Sequence, residues 1–320
     1  MSYVMPYILL VAGFVILIKG ADFFVDGSCS IAKKLKIPDI IVGLTIVAMG
    51  TSAPELAVSV SAAIGGSSDI AIGNVVGSSL LNILIILGLS SLIVPINVDG
   101  SMFKRDIPFL LLTAALLPAV TVIFGMKIGR IAGLVFLLLF AFYIMLNVRA
   151  ALEYRQKDKS SGVDDGEELK VMPWWKSLLF TLGGAVMVVI GGSFSVDGAT
   201  EIAHQLGISE AIIGLTVVAI GTSLPELVTS VVAAKKGNSD IALGNIVGSN
   251  IFNVLLILGA TAIIKPVSVD MNSLVDQGVL LAVSVILAIA AKTGKKLSRL
   301  EGACFLMIYV VYAVFLFLRG

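Results

Sequence analysis

Long apolar segments set the strongest limit on what this chain can fold into. Many of them reach the roughly 20 residues that an α-helix needs to cross a bilayer. Only 13% of the 320 residues are charged, whereas a soluble domain usually has about 25%. Lipid admits only helices and closed barrels, and these segments lack the two-residue alternation of barrel strands. The sequence therefore predicts an all-α polytopic membrane protein embedded in the lipid bilayer.

Ten membrane-spanning helices are predicted from the apolar segments. Lysine and arginine set the orientation, because cytoplasmic loops carry an excess of these residues. With ten spans, 17 of the 22 lysine and arginine residues fall on one side. This bias predicts that both termini lie on the outer side of the cell membrane, opposite the cytoplasm. The predicted spans are 5–27, 39–64, 70–92, 107–125, 128–148, 176–195, 211–234, 241–263, 275–292 and 300–318.

The chain contains an internal repeat. Residues 22–99 align without a gap with residues 193–270, at a constant offset of 171. Between 50–83 and 221–254, 21 of 34 positions are identical. Shared hydrophobicity does not produce such a match, so the two halves are copies of one unit.

Each copy holds five predicted spans, and an odd number makes the second copy cross the membrane in the opposite direction. We therefore expect two inverted five-helix repeats, residues 1–148 and 176–320, joined by a polar linker loop, 149–175, in the cytoplasm. Secondary transporters with this architecture bind their substrates near the bilayer midplane, on interrupted helices.

The motif GTSAPE, which ends at Glu55, recurs as GTSLPE, which ends at Glu226, and each lies inside an apolar segment. Pro54 and Pro225 each remove a backbone donor and disturb the helix. Carbonyls freed in this way are tolerated in a membrane where a cavity, water or a cation satisfies them. A glutamate within a bilayer is costly and marks a functional site by default. The repeated motif thus predicts a site at these two glutamates.

Side chains that carry oxygen atoms continue the pattern. Thr51 and Ser52 share a helical face with Glu55, and Ser78 and Asn82 follow on the next helix. Serine and threonine in membrane helices also commonly bond their own backbone or a neighbouring helix, so the glutamates carry the prediction. Oxygen ligands suit hard cations such as calcium, and the lack of thiol and imidazole ligands argues against zinc, copper and iron. The equivalent residues of the second half are Thr222, Ser223, Glu226, Ser249 and Asn253.

The charge of this site is compatible with several ions. Two facing carboxylates repel each other, and one protonates when the site is empty. One divalent cation cancels both charges, and so do two or three sodium ions, or protons. A site whose charge is satisfied in alternative ways suits exchange.

The duplicated GTSxPE, followed by GNxxGS and an asparagine, resembles the alpha repeats of the cation/calcium exchanger superfamily, in its sodium/calcium exchanger branch. The resemblance covers nearly the whole chain and implies a minimal prokaryotic member with ten helices. It also implies a set of ion ligands in which two alanines act through their carbonyls. These ligands are Ala48, Thr51, Ser52, Glu55, Ser78, Asn82, Ala219, Thr222, Ser223, Glu226, Ser249 and Asn253.

Two features bear on the counter-ion. Some relatives, including the potassium-dependent branch, have an aspartate where this chain has Asn253, so the amide suggests independence from potassium. Proton-coupled relatives typically show GNAAE and an adjacent histidine in place of GTSxPE. The resemblance therefore implies that inward sodium drives the extrusion of calcium from the cytoplasm.

Other functions are kept as alternatives. A calcium/proton exchanger on the same scaffold comes second, and a cation channel is disfavoured by the inverted repeats around one paired-acid site. An enzyme is not expected, because the chain has no nucleotide motif and a single histidine, His204. The net charge of +1 argues against a nucleic-acid partner. We expect no cofactor beyond the transported calcium and sodium, and a monomer suffices for the site.

Overall fold

The computed structural model describes residues 4–98, 100–160, 172–206 and 219–319. Most of these residues are helical, because a helix satisfies its own backbone hydrogen bonds in lipid. In chain order the elements are α1 (Met5–Leu35), α2 (Asp39–Thr51), α3 (Ala53–Gly65), α4 (Ser68–Ile93), β1 (Ile96–Asn97), α5 (Gly100–Lys104), α6 (Asp106–Ile123), β2 (Lys127–Ile128), α7 (Arg130–Ser160), α8 (Trp174–Gln205), α9 (Ala219–Thr222), α10 (Leu224–Lys235), α11 (Ser239–Ile264), β3 (Val267–Ser268), α12 (Met271–Gly294), β4 (Lys296–Leu297) and α13 (Arg299–Arg319).

Eight of the described helices are long and apolar enough to cross a membrane, and α2 with α3 forms a ninth candidate bent by 46°. Nine of the ten predicted spans correspond to these candidates. The tenth, 211–234, lies partly outside the described residues, and α9 and α10 account for its second part. The prediction of a helical, multi-pass membrane protein is thereby confirmed.

Three helices extend well beyond the apolar segments that predicted them. α1 continues to Leu35, α8 continues to Gln205, and α7 continues to Ser160. Charged and amide side chains end an apolar segment, but lysine, arginine, glutamate and glutamine are good helix formers. Residues 149–160 of the predicted linker therefore belong to α7 and not to a loop, and 161–171 lie outside the described residues.

Two short strand pairs mark opposite ends of the helical bundle. β1 pairs antiparallel with β4, and β2 pairs antiparallel with β3. The helix α12 runs from β3 to β4, so the two pairs lie at its two ends. We call these ends the β1–β4 face and the β2–β3 face. Because α4 ends just before β1 and α13 begins just after β4, α4 starts and α13 ends at the β2–β3 face.

The long helices α1 and α8 pack against each other along a line of glycines, here called the glycine seam. A Cβ placed on Gly184 would lie 2.5 Å from the Phe24 backbone nitrogen, and one on Gly191 would lie 2.4 Å from that of Leu17. Backbone thus meets backbone, as small residues permit between membrane helices. The seam glycines recur every seventh residue in both helices: Gly13, Gly20 and Gly27, with Gly184, Gly191 and Gly198.

The centre of the bundle is formed by α4 and α11, which are the most buried of the membrane-length helices described. The broken helix α2–α3 crosses α11 at close range. A Cβ on Gly43 would lie 2.8 Å from the Ile241 carbonyl, and one on Gly248 would lie 2.9 Å from the Ala48 side chain. These glycines bring the first GTSxPE motif against the second half of the chain.

Candidate metal-ion site

Both GTSxPE motifs interrupt a helix at their serine. The backbone of Ser52 leaves the helical region (φ −83°, ψ 8°), and Ser223 does the same (φ −89°, ψ 2°). Pro54 and Pro225 lie in the first turn of the helices that restart, α3 and α10. At this position the missing N–H of proline removes no intrahelical bond. The proline therefore starts a new helix after the break.

The break gives each glutamate a favourable electrostatic position. Glu55 and Glu226 lie in the first turns of α3 and α10. The N-terminus of a helix carries a partial positive charge, which stabilises a carboxylate there. Both side chains are 1% exposed. The fold therefore holds two acidic groups away from solvent at the positive ends of two helices.

Each carboxylate takes a hydrogen bond from the break in the other half of the chain. Ser52 Oγ donates to Glu226 Oε1 over 2.9 Å, and Ser223 Oγ donates to Glu55 Oε1 over 3.5 Å. Ser52 Oγ also lies 3.1 Å from Ser249 Oγ on α11. These contacts bring five of the predicted ligands together across the two halves.

Asn74 on α4 forms hydrogen bonds with the part of α3 that carries Glu55. Its Nδ2 donates to the Glu55 carbonyl over 3.1 Å and to Ser59 Oγ over 2.9 Å. Its Oδ1 accepts a bond of 3.4 Å from Thr222 Oγ1, in the other half. Asn74 thus ties the backbone of one motif to the threonine of the second.

Asn245 on α11 repeats this arrangement. Its Nδ2 donates to Ser230 Oγ over 3.0 Å, and its Oδ1 lies 3.1 Å from Thr51 Oγ1. Because Asn74 and Asn245 lie about one turn into their helices, their place in the sequence favours helix packing over ligation. Their position in the two GNxxGS stretches, at the offset of 171, is the signal that pairs them with the motifs.

The predicted asparagine ligands begin two segments of π-helix. Asn82 opens the segment Asn82–Leu87 in α4, and Asn253 opens Asn253–Leu258 in α11. Such segments widen a helix locally and are frequent at functional sites. Sequence spacing alone gave no sign of them.

The amides of these asparagines reach across to the other half of the chain. Asn253 Nδ2 donates to Ser78 Oγ over 2.9 Å and to Ser79 Oγ over 3.1 Å. Asn82 Nδ2 lies 3.5 Å from Asn250 Oδ1. Ser79 and Asn250 occupy equivalent positions in the repeat and were missed as parts of this network.

Four buried acceptor oxygens of the predicted ligands have no hydrogen-bond donor within the described part of the chain. They are Glu55 Oε2, Glu226 Oε2, Asn82 Oδ1 and Asn253 Oδ1. A buried acceptor without a donor is costly, and the large majority of buried polar atoms have a partner. These four atoms come from two pairs of equivalent residues, so the deficit is repeated across the two halves.

The predicted carbonyl ligands stand apart from this set. The Ala48 carbonyl accepts the Ser52 backbone N–H over 3.0 Å, and Thr51 Oγ1 lies 3.4 Å from it. The helix backbone therefore uses one of the two lone pairs of this carbonyl. Ala219 begins α9 at the edge of the described residues.

The donor set is made of oxygen. In the described ranges, no group of three or more His, Cys, Asp or Glu side chains is placed to hold a metal ion. The site thus has two carboxylates surrounded by hydroxyl and amide groups. Hard cations accept this mixture of charged and neutral oxygens, whereas zinc and copper favour nitrogen or sulfur.

A bundle of membrane-length helices around a buried, oxygen-lined acidic site defines a multi-pass membrane protein built to handle cations. Residues 5–149 and 176–318 match the family model described as "Sodium/calcium exchanger protein". The chain belongs to the sodium/calcium exchanger protein family. It is therefore an ion-transporting antiporter of the membrane. Its family is a class of transporters and not of enzymes.

Individual relatives resemble the chain over nearly its full length. CaxA of Alkalimonas amylolytica is 38% identical, over 97% of this chain and 98% of its own. The sodium/calcium exchanger MaX1 of Methanosarcina acetivorans is 36% identical, over 97% and 98%. The structure of the sodium-calcium exchanger NCX_Mj, soaked with 2.5 mM Na⁺ and 10 mM Sr²⁺, is similar with a TM-score of 0.86 at 32% identity, covering 98% of this chain and 99% of that one.

Proposed function

We propose that this protein is a secondary antiporter that exchanges sodium for calcium across the cell membrane and extrudes calcium. The observation that carries the proposal is the set of four buried acceptor oxygens without donors, two of them carboxylate oxygens. A cation is the partner that satisfies such a set and neutralises its charge. The names of MaX1 and of NCX_Mj support sodium and calcium as the ions.

We assign these four oxygens, together with other oxygen atoms of the two motifs and of α4 and α11, as the ligands. The carboxylates supply the charge, and the hydroxyls, amides and two carbonyls supply neutral oxygens, which suits the six to eight ligands of calcium. The bonds that cross between the halves support a single shared site. The proposed ligands are Ala48, Thr51, Ser52, Glu55, Ser78, Asn82, Ala219, Thr222, Ser223, Glu226, Ser249 and Asn253.

The two negative charges of the site determine which ions can replace each other in it. One calcium ion neutralises both carboxylates, and so do two or more sodium ions, so the two ions compete for overlapping positions. An empty site would carry at least one bare carboxylate through a closed and dry intermediate, which is costly in a membrane. Alternating access therefore proceeds with ions bound, and exchange is favoured over uncoupled leak.

The architecture that we propose is ten spans in two inverted repeats, 1–148 and 176–320. The hydrogen bonds support it, because the bond from Ser52 to Glu226 is repeated from Ser223 to Glu55, with each residue shifted by 171 positions. We place the segment 149–175 in the cytoplasm and both termini outside, on the basis of the lysine and arginine bias. One chain completes the site, with no cofactor other than the transported ions.

Sodium is proposed as the counter-ion ahead of protons. The resemblance supports this order, because the chain has GTSxPE in both halves where proton-coupled relatives typically show GNAAE and an adjacent histidine. The runner-up, calcium/proton exchange, uses the same scaffold and the same two glutamates. The coupling ion is therefore the first property to measure.

The decisive experiment is uptake of calcium-45 into proteoliposomes. Vesicles loaded with sodium are compared with vesicles loaded with potassium, and with vesicles that carry a proton gradient. We expect uptake only with the sodium gradient. Uptake driven by protons alone would replace sodium as the counter-ion, and uptake that does not saturate with calcium would favour a channel.

The site assignment has its own test. Glu55→Gln and Glu226→Gln each remove one of the two charges that hold calcium, and we expect each to abolish calcium flux. Glu153→Gln is the matched control, because this glutamate is exposed on α7. Transport that survives both site substitutions would contradict the assignment.

A further inference from the structure

A cavity of about 460 Å³ connects the proposed ion site with one end of the bundle. At its inner part it is lined by Asn74, Ser78 and Thr222, which contact the acidic motifs or belong to the proposed ligands. At its outer part it is lined by Asp276 near the start of α12 and by Arg319 at the end of α13. Both lie at the β2–β3 face, so the cavity extends from this face toward the site.

Arg319 and Asp276 form a bidentate ion pair at the outer end of the cavity. Arg319 Nη1 and Nη2 lie 2.9 Å from Asp276 Oδ1 and Oδ2. Nη1 also donates to the Asn272 carbonyl over 3.3 Å, and the guanidinium lies 5.2 Å from the Phe315 ring centre. The side chains of Arg319 and Asp276 are only 21% and 16% exposed. The pair is therefore fixed in place and nearly neutral as a unit.

We propose that the Arg319–Asp276 pair sets the affinity with which cations reach the ion site from the β2–β3 face. The proposal rests on the proposed function, since it assigns a role along the path of the transported ion. Both residues are positioning residues and not ligands: Asp276 masks the guanidinium charge, and Arg319 holds the carboxylate. Because the pair is nearly neutral, Asp69, which also lines the cavity, gives the outer end of the cavity a net negative charge.

Substitution of Asp276 and substitution of Arg319 should have opposite effects. Asp276→Asn leaves a bare guanidinium beside the path, which repels incoming cations. Arg319→Gln leaves a bare carboxylate, which attracts them. The Coulomb energy scales with the charge of the ion, so calcium is affected about twice as strongly as sodium. The effects weaken as salt rises, because counter-ions screen the cavity.

The experiment measures the half-saturation concentration for calcium from each face, in vesicles of determined orientation. For ions that approach from the β2–β3 face at low ionic strength, we expect Asp276→Asn to raise it and Arg319→Gln to lower it, each on the order of threefold. Potassium chloride should shrink both shifts. The double variant should return close to the wild-type value, and the opposite face should show no change.

Arg130→Gln is the matched control. This arginine is exposed at the β2–β3 face and bonds the Ile263 carbonyl, away from the cavity, so removing its charge should leave the half-saturation concentration unchanged. A purely structural ion pair would make both single variants worse in the same direction, and that result would overturn the proposal. So would two variants that do not differ from the wild type. Wild-type protein without sodium-driven uptake would instead overturn the proposed function.

Discussion

Two adjacent glycines of α8 allow the glycine seam to be tested with one substitution and its neighbour as the control. A Cβ on Gly184 would lie 2.5 Å from the Phe24 nitrogen and 2.8 Å from the Gly20 carbonyl, whereas one on Gly183 meets nothing within 4 Å. Contact becomes ordinary at 3.4 Å. Gly184→Ala therefore requires α1 and α8 to separate by about 0.9 Å, because the obstacles are backbone atoms that cannot rotate away.

The cost of this separation can be estimated. Overpacking costs typically about 1–3 kcal/mol, while replacing glycine by alanine within a helix gains up to about 1 kcal/mol. The gain applies to both variants, so it cancels when they are compared. We expect Gly183→Ala to be as stable as the wild type or more stable, and Gly184→Ala to be less stable than Gly183→Ala by about 1–3 kcal/mol.

The assay is the midpoint of heat-induced loss of monodisperse protein in detergent, measured for the wild type and both variants. A difference of this size should lower the midpoint of Gly184→Ala by several degrees relative to Gly183→Ala. Calcium uptake in proteoliposomes should fall in the same order. Equal midpoints for the two variants would refute the close backbone contact between α1 and α8.

Further predictions concern the polar network and one helix end. Asn74→Ala and Asn245→Ala each remove bonds that hold a motif, and we expect the calcium half-saturation concentration to rise about tenfold in each, equivalent to about 1.4 kcal/mol, with exposed Asn97→Ala unchanged. Asp270 caps α12 by accepting the Ser273 N–H over 2.8 Å. Hydrogen bonds from the Ser273 hydroxyl and from this N–H lower the pKa of the Asp270 carboxyl below the usual 3.8. The stabilisation from this cap is therefore present above about pH 4 and is lost as the pH falls through the lowered pKa. Asp270→Ala should lower the free energy of unfolding by up to about 1 kcal/mol at neutral pH and by little at pH 2, as measured by thermal midpoints.

The sequence predicted those features that depend on local chemistry. A proline and a glutamate inside an apolar segment are costly wherever they occur, so Pro54 and Glu55 pointed to a helix break with an acidic group. The offset of 171 then paired them with Pro225 and Glu226 before any contact was known. The helical membrane class followed from the length of the apolar segments.

Features that depend on which helices pack together were beyond the reach of the sequence. Asn74 looks like a packing residue until α4 is placed beside the second motif, where it bonds Thr222. The donor to Glu55 is Ser223, in the other half of the chain, and no local pattern links them. The sequence also misplaced helix ends outside the lipid. The helix α7 continues beyond its apolar segment and ends at Ser160.

The crossed serine–glutamate bonds have a consequence for biosynthesis. Ser223 follows Glu55 by 168 residues, which a ribosome adds in roughly 8 to 34 s at about 5–20 residues per second. During that time Glu55 is already made while the hydroxyl that will bond it does not yet exist. The first half is therefore held at the translocon while the Glu55 carboxyl lacks its serine donor. Water or a proton must satisfy this carboxyl in the meantime. Closure of the two halves around each other completes the pair, so the site is among the last parts of the molecule to mature.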